Sequence, residues 1–144
     1  MEINQNNSEI SIEQKKKYLF RKFSDAPQYE APHCGGGFGS LHSFTVLGDD
    51  PVMPVRCNPN DSDNIHYIHI STLPPGASMG EHVHEGSEQF YLFVEGKGRV
   101  TLCGEVFEVG PWDIALLKDG GSHGLHNTGD TPLKYICCEV GLTK

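Results

Sequence analysis

The feature that most constrains this chain begins at Leu41. From there the sequence runs as short β-rich segments, LHSFTVL, NIHYIHISTL, EQFYLFVEG, GRVTLCG, EVFEV, DIALLK and PLKYICCEVGL, separated by turn compositions. The separators GDDP, NPNDSDN, PPGASMG, GKG, DGGS and NTGDTP supply glycine for positive φ, proline for a fixed φ, and Asn or Asp for side-chain turns. No segment after Gly35 carries its apolar residues at the 3.6-residue period of a helix. The expected fold is therefore all-β, a sandwich or a barrel.

A chain of 144 residues suits one domain with a core large enough to be stable without staples. Lys plus Arg number 11 against 19 Asp plus Glu, a net charge of -8, and the positive residues thin out after Lys22. Nucleic acid and anionic membrane surfaces are not expected partners. No apolar run approaches the roughly 18 residues of a membrane span. The N-terminal MEINQNNSEI has neither the basic nor the apolar region of a signal peptide, so the expectation is a soluble cytoplasmic protein.

The five cysteines make an odd count with no C-x-x-C spacing, which argues against a disulfide framework. Cys103, Cys137 and Cys138 fall in apolar, strand-like segments and read as small buried side chains. Cys34 differs: it lies in PHCGGGFG beside His33, where a mobile glycine backbone would expose the thiol. A nucleophilic Cys-His pair there would need a geometry that adjacent loop residues rarely hold.

Residues 1 to about 10 are polar with nothing to bury and read as a disordered arm. SIEQKKKYLFRKF starts either a short helix, with Ser11 as cap and Gln14 three residues on, or a strand at the domain edge. SDAPQYEAPHCGGGFGS, with its breakers, reads as an irregular connection. The organisation expected is an irregular, partly helical or extended N-terminal arm over residues 1–40 and a single β-barrel domain over 41–144.

Chemistry concentrates in GEHVHEGSEQFY. On a strand, residues i and i+2 share a face, so His82 and His84 project together with Val83 turned away. A third histidine, His123, follows the apolar DIALLK. These residues resemble the cupin family, the small jelly-roll or double-stranded β-helix fold. Its first motif is matched by Gly76, five residues, His82-Val83-His84, four residues, Gln89, six residues, Gly96. Its second is matched at its end by Lys118-Asp119-Gly120, two residues, His123, three residues, Asn127. The sequence departs from the family at three places: Lys118 replaces the motif proline, Trp112 the glycine before the Asp, and Gln89 the usual glutamate.

The resemblance implies a divalent metal held by His82, His84 and His123, with the fourth ligand at Gln89 or Glu88. Counting back from Gly96 gives the motif's six residues to Gln89 and seven to Glu88. Only one of two adjacent strand residues can face inward, and the count favours Gln89. With a neutral amide beside three imidazoles the ion keeps its full double charge, a stronger Lewis acid that attracts anionic, chelating oxygens. Cupins with a His-His-Gln-His set include proteins that linearise unsaturated uronates and others that act as hydroxynitrile lyases; Glu-bearing relatives more often run dioxygenase reactions. The expectation is a Lewis-acid isomerase or lyase acting on a small hydroxy or keto acid or a sugar, with Mn, Fe, Ni or Zn as the metal. The alternatives are a non-catalytic small-ligand-binding or sensing cupin and, with Glu88 as ligand, an iron-dependent dioxygenase.

Tyr91 shares parity with Gln89 and is a candidate donor or general acid. Tyr67 and His69 share a face of the preceding strand and would line the pocket, His69 as a second catalytic candidate. His126 has the opposite parity to His123 and is expected outside, while Trp112 is read as packing in the core or at an interface. Small cupins often pair through edge strands, and the KKKYLFRKF segment could cover an edge or cross to a partner, so a homodimer is expected.

Overall fold

A computed structural model describes residues 17–51 and 57–142. Ten strands form there: β1 Gln28–Pro32, β2 Ser40–Gly48, β3 Ile65–Leu73, β4 Ser78–Val83, β5 Ser87–Glu95, β6 Gly98–Leu102, β7 Glu105–Val109, β8 Ile114–Leu117, β9 Ser122–His126 and β10 Leu133–Gly141. One sheet has the order β1-β2-β3-β10-β5-β8 and the other β4-β9-β6-β7. All pairings are antiparallel. From β3 onward the chain alternates between the sheets except at the β6–β7 hairpin, which stays within the second sheet, and this is the jelly-roll connection that closes an all-β barrel.

Strict alternation fixes which side chains enter the barrel. On β5, Ser87, Gln89, Tyr91 and Phe93 are buried while Glu88, Phe90, Leu92 and Val94 are half-buried. Register then sets these residues in rows across three strands. Tyr67, Glu139 and Gln89 form one row, His69, Cys137 and Tyr91 the next, and Ser71, Tyr135 and Phe93 the third. The rows grade from polar to apolar. Beyond them Leu73 and Leu133 pair across β3 and β10, both buried. Burying a ring such as that of Phe93 stabilises the fold by about 2–3 kcal/mol, and this apolar end holds the polar rows in place.

The stretch expected as an irregular connection contains β1, whose alternation buries Tyr29 and Ala31. It pairs with β2 at the outer edge of its sheet, the position where proline at its end, Pro32, costs no ladder hydrogen bond. Upstream, residues 17–22 carry neither helix nor strand, and a single 3-10 turn follows at Phe23–Asp25. The proposed disordered arm and the Ser11 cap lie outside the described residues. Arg21 ties this segment to the domain through both carboxylate oxygens of Asp61, at 2.6 and 3.0 Å, and through the Val46 carbonyl at 3.0 Å.

One side chain sits where sequence reasoning did not put it. Cys103 is exposed, in the two-residue turn between β6 and β7, where φ is +49° and that of Gly104 is +84°. A turn of this kind demands positive φ at both positions, so a residue read as strand interior becomes a loop tip. Trp112 is 71% exposed, which excludes the core and leaves packing at an interface, and its φ of +70° explains why the family motif asks for glycine there.

Candidate metal centre

His82 lies near the end of β4, and His123 is its cross-strand partner on β9. His84 follows one residue past β4, pinned by backbone hydrogen bonds to Gly120 and Gly121. The ring nitrogens available as ligands on His82, His84 and His123 all lie within 4.8 Å of one another. Nε2 of His82 and Nε2 of His123 are 3.2 Å apart. Two nitrogens each about 2.1 Å from one ion and about 100° apart around it would have that separation.

The far side of each ring is organised to match. The His82 Nδ1–H donates to the Gly80 carbonyl at 2.8 Å, and the His84 Nδ1–H donates to Glu139 Oε1 at 3.1 Å. With the hydrogen on Nδ1, a neutral imidazole keeps its lone pair on Nε2. His123 is 2% exposed, and burial first, then the neighbouring His82 and His84, pull its pKa down to about 3. A histidine held neutral in this way is already in its ligating form.

His82 and His84 open onto a cavity of about 680 Å³, within the range of small-molecule sites. Gln89 is buried in its wall, while Glu88, half-buried, is not among the lining residues. The Gln89 amide nitrogen donates to the Tyr67 hydroxyl at 2.7 Å, leaving its oxygen Oε1 buried without a partner. Nε2 of His84 and Nε2 of His69 are the other buried side-chain polar atoms without a partner among the described residues. All three atoms belong to residues lining the same cavity. An unpaired buried polar atom costs about 1–3 kcal/mol, and three in one cavity, two of them on the candidate ligands His84 and Gln89, leave it with lone-pair and N–H groups that a metal or a polar ligand could engage.

Tyr91 is buried with its hydroxyl 3.2 Å from His123 Nε2 and its ring stacked on that imidazole at 4.8 Å. Burial drives its pKa well up, so the hydroxyl keeps its proton. His69 stacks on Tyr67 at 4.4 Å and shares a 3.0 Å hydrogen bond with the Tyr29 hydroxyl through Nδ1. Burial pulls its pKa down to about 4, leaving a neutral ring at neutral pH. The structure thus brings His69, Tyr91, Gln89 and the three histidines to one cavity region, and leaves His126 exposed.

One residue went unnoticed in the sequence. Glu139 on β10 accepts from His84 Nδ1, from His66 Nδ1 at 3.0 Å and from Ser87 Oγ at 3.1 Å. Burial raises its pKa, but the hydrogen bonds from His84, His66 and Ser87 outweigh burial and hold the carboxyl at about 2. Only the parity it shares with Tyr135 and Cys137 could have flagged it.

The glycine run is also accounted for. A 3-10 turn at Cys34–Gly36 packs against β4, and a Cβ on Gly80 would collide with the Gly35 carbonyl oxygen. Cys34 is therefore half-buried in the cavity wall, not exposed, and burial raises its pKa. His33 hydrogen-bonds the Gly37 carbonyl instead of serving the thiol.

A family model for the cupin domain matches residues 69–139, the span from His69 to Glu139. An oxalate-binding protein of Thermotoga maritima is 36% identical over 64 residues, 44% of this chain and 53% of that protein. An uncharacterized protein of Methanocaldococcus jannaschii is 38% identical over 66 residues, 46% of this chain and 53% of that protein. The chain thus spans about half the length of these curated relatives. The crystal structure of a predicted oxalate decarboxylase from Thermotoga maritima superposes with a TM-score of 0.73 at 23% identity, covering 86% of this chain and all of that one, a likeness of fold.

Proposed function

This chain belongs to the cupin superfamily, and on that premise we propose that it holds a divalent transition metal, Mn, Fe, Ni or Zn, and acts as a Lewis-acid isomerase or lyase on a small hydroxy or keto acid or a sugar. The observation that carries this reading is the set of three partnerless buried atoms, His84 Nε2, Gln89 Oε1 and His69 Nε2, on the walls of one cavity. His82, His84 and His123 would hold the ion, with Gln89 as a fourth, oxygen donor. When bound, the ion supplies Lewis acidity toward a carbonyl, hydroxyl or carboxylate oxygen.

The chain's own groups do the rest. Tyr91, protonated and beside His123, donates to an oxygen of the bound molecule. His69 stands on the row next to Gln89, its ring set by Tyr29 and its Nε2 free to give or take a proton according to tautomer. Tyr67 and His69 form a stacked wall that excludes water from one side of the ligand. Glu88 is not among the residues that line the cavity, which supports Gln89 as the fourth donor over the dioxygenase alternative.

The resemblance to an oxalate-binding protein supports a small anionic ligand that chelates through two oxygens, and keeps a purely ligand-binding cupin as the second reading. Metal analysis of purified protein beside the His82→Ala, His84→Ala double variant tests the site. Metal near one equivalent in the wild type alone is expected; none in either after reconstitution would overturn the proposal. Conversion of an oxalate-sized or sugar acid by the loaded protein then separates enzyme from binder. We further propose a homodimer, supported by the exposed Ile114 and Leu116 on the edge strand β8 and by Trp112 beside them. A monomer at micromolar concentration by analytical ultracentrifugation would end that idea.

A further inference from the structure

The Glu139 carboxylate sits where a motif glutamate is missing. Gln89 occupies the ligand position, and Glu139 is its cross-strand partner on β10, facing the same cavity. A bulge between Glu139 and Val140 adjusts the β3 pairing at this point of the strand. From there Glu139 Oε1 reaches His84 Nδ1 at 3.1 Å and Ser87 Oγ at 3.1 Å, and Oε2 reaches His66 Nδ1 at 3.0 Å.

We propose that Glu139 is the positioning residue of the metal centre: it fixes the Nδ1–H tautomer and ring angle of His84, and supplies from behind the imidazole the negative charge that Gln89 does not. The inference rests on the metal-site reading given above. A carboxylate accepts and never donates when ionised, so the shared hydrogen belongs to His84, and the ring's lone pair is left on Nε2. That atom is buried and has no protein partner, and it belongs to the cluster with His82 and His123. A carboxylate behind a ligating imidazole raises its basicity and holds its orientation. Placing the charge on β10 and not at position 89 leaves the coordination sphere neutral, with room for an anionic chelating ligand.

The anchoring side explains the other two contacts. Ser87 takes the second lone pair of Oε1 and His66 one of Oε2, and these two contacts hold the carboxylate against His84. His66 reaches solvent, with its side chain 47% exposed, while Glu139's side chain is 13% exposed.

The test uses Glu139→Met, which keeps the length of the side chain and removes the acceptor, beside His66→Asn, which removes one donor at the surface. In metal-free protein, long-range ¹H–¹⁵N spectra should show His84 as a single Nδ1–H tautomer in the wild type and in His66→Asn, and as a mixture in Glu139→Met. Zinc or manganese affinity should fall about 10–100-fold in Glu139→Met and stay within about threefold of wild type in His66→Asn. A His84 tautomer unchanged by Glu139→Met overturns the proposal, and so does an equal loss of metal in both variants, which would mean that Glu139 serves the fold alone. Wild-type protein that binds no metal defeats the metal reading itself, and the tautomer measurement still decides this one.

Discussion

The Gln89 amide nitrogen lies 2.7 Å from the Tyr67 hydroxyl, and this bond decides which end of the amide is left for a metal. Oxygen is the end left over. Gln89→Glu adds a charge at that end and should tighten metal binding, while Gln89→Ala should weaken it about tenfold or more. Tyr67→Phe frees the amide to turn over and should weaken binding less than Gln89→Ala. Calorimetric titration with zinc or manganese measures all three; a Glu88→Ala variant as damaged as Gln89→Ala would reverse the ligand assignment.

Acid should destabilise the metal-free protein in a defined window. His69 and His123 are pulled from the usual 6.5 to about 4 and about 3, by burial first. Between pH 6.5 and 4 the unfolded chain binds protons at these positions and the folded one does not, so stability is full above 6.5 and falls as pH drops. Each group contributes a slope of about 1.4 kcal/mol per pH unit within its window. Glu139, held at about 2, acts later: its contribution is present above about 4.5 and is lost below it. Urea denaturation in chelator should show a shallower slope for His69→Gln between pH 6.5 and 4. An unchanged slope would mean that His69 is protonated in the folded state.

Tyr91→Phe removes a hydroxyl beside the ligand position and leaves the stacking on His123 in place. Affinity of the metal-loaded protein for oxalate or a 2-hydroxy acid should drop by up to about tenfold, the net worth of one hydrogen bond, with metal affinity little changed. Equal affinity in both proteins would remove Tyr91 from the site.

Trp112 and Cys103 hold left-handed backbone at exposed positions. Trp112→Gly and Cys103→Asn each replace a residue that resists positive φ with one that accepts it, and should stabilise by about 0.5–1 kcal/mol. For a domain of this size that raises Tm by about 2–4 °C per kcal/mol. A lower Tm for Trp112→Gly would show that the indole packs against a second molecule.

How much was legible in the sequence depended on distance along the chain. Gln89, Tyr91, His82 and His84 follow from strand parity over a few residues, and the structure sets each side chain on the face that parity gave. Alternation is a local rule, so it survives folding. Glu139 has the same parity signal, but its meaning comes from β10 docking between β3 and β5, a pairing that brings it beside residues far away in the chain, such as Gln89 and Tyr67. β1 was hidden because Pro27 precedes QYEAP and Pro32 ends it, and proline marks a sheet edge as readily as a loop. Cys103 was misplaced because a β-run and the turn that ends it share one apolar stretch, and only the backbone shows where the strand stops.

The glycine-rich turn at Cys34–Gly36 has a consequence for assembly. β4 is the outermost strand of its sheet, and the loop lies along it, with Ser78 and Phe38 exchanging hydrogen bonds at 2.8 and 2.9 Å. A strand from another molecule could add to that edge only by stripping the loop away, and with it the Cys34 and Gly35 wall of the cavity. Runaway polymerisation through β4 and an intact binding chamber are therefore mutually exclusive states, and the glycines that admit the loop beside His82 also serve as the barrier against fibre growth on that side.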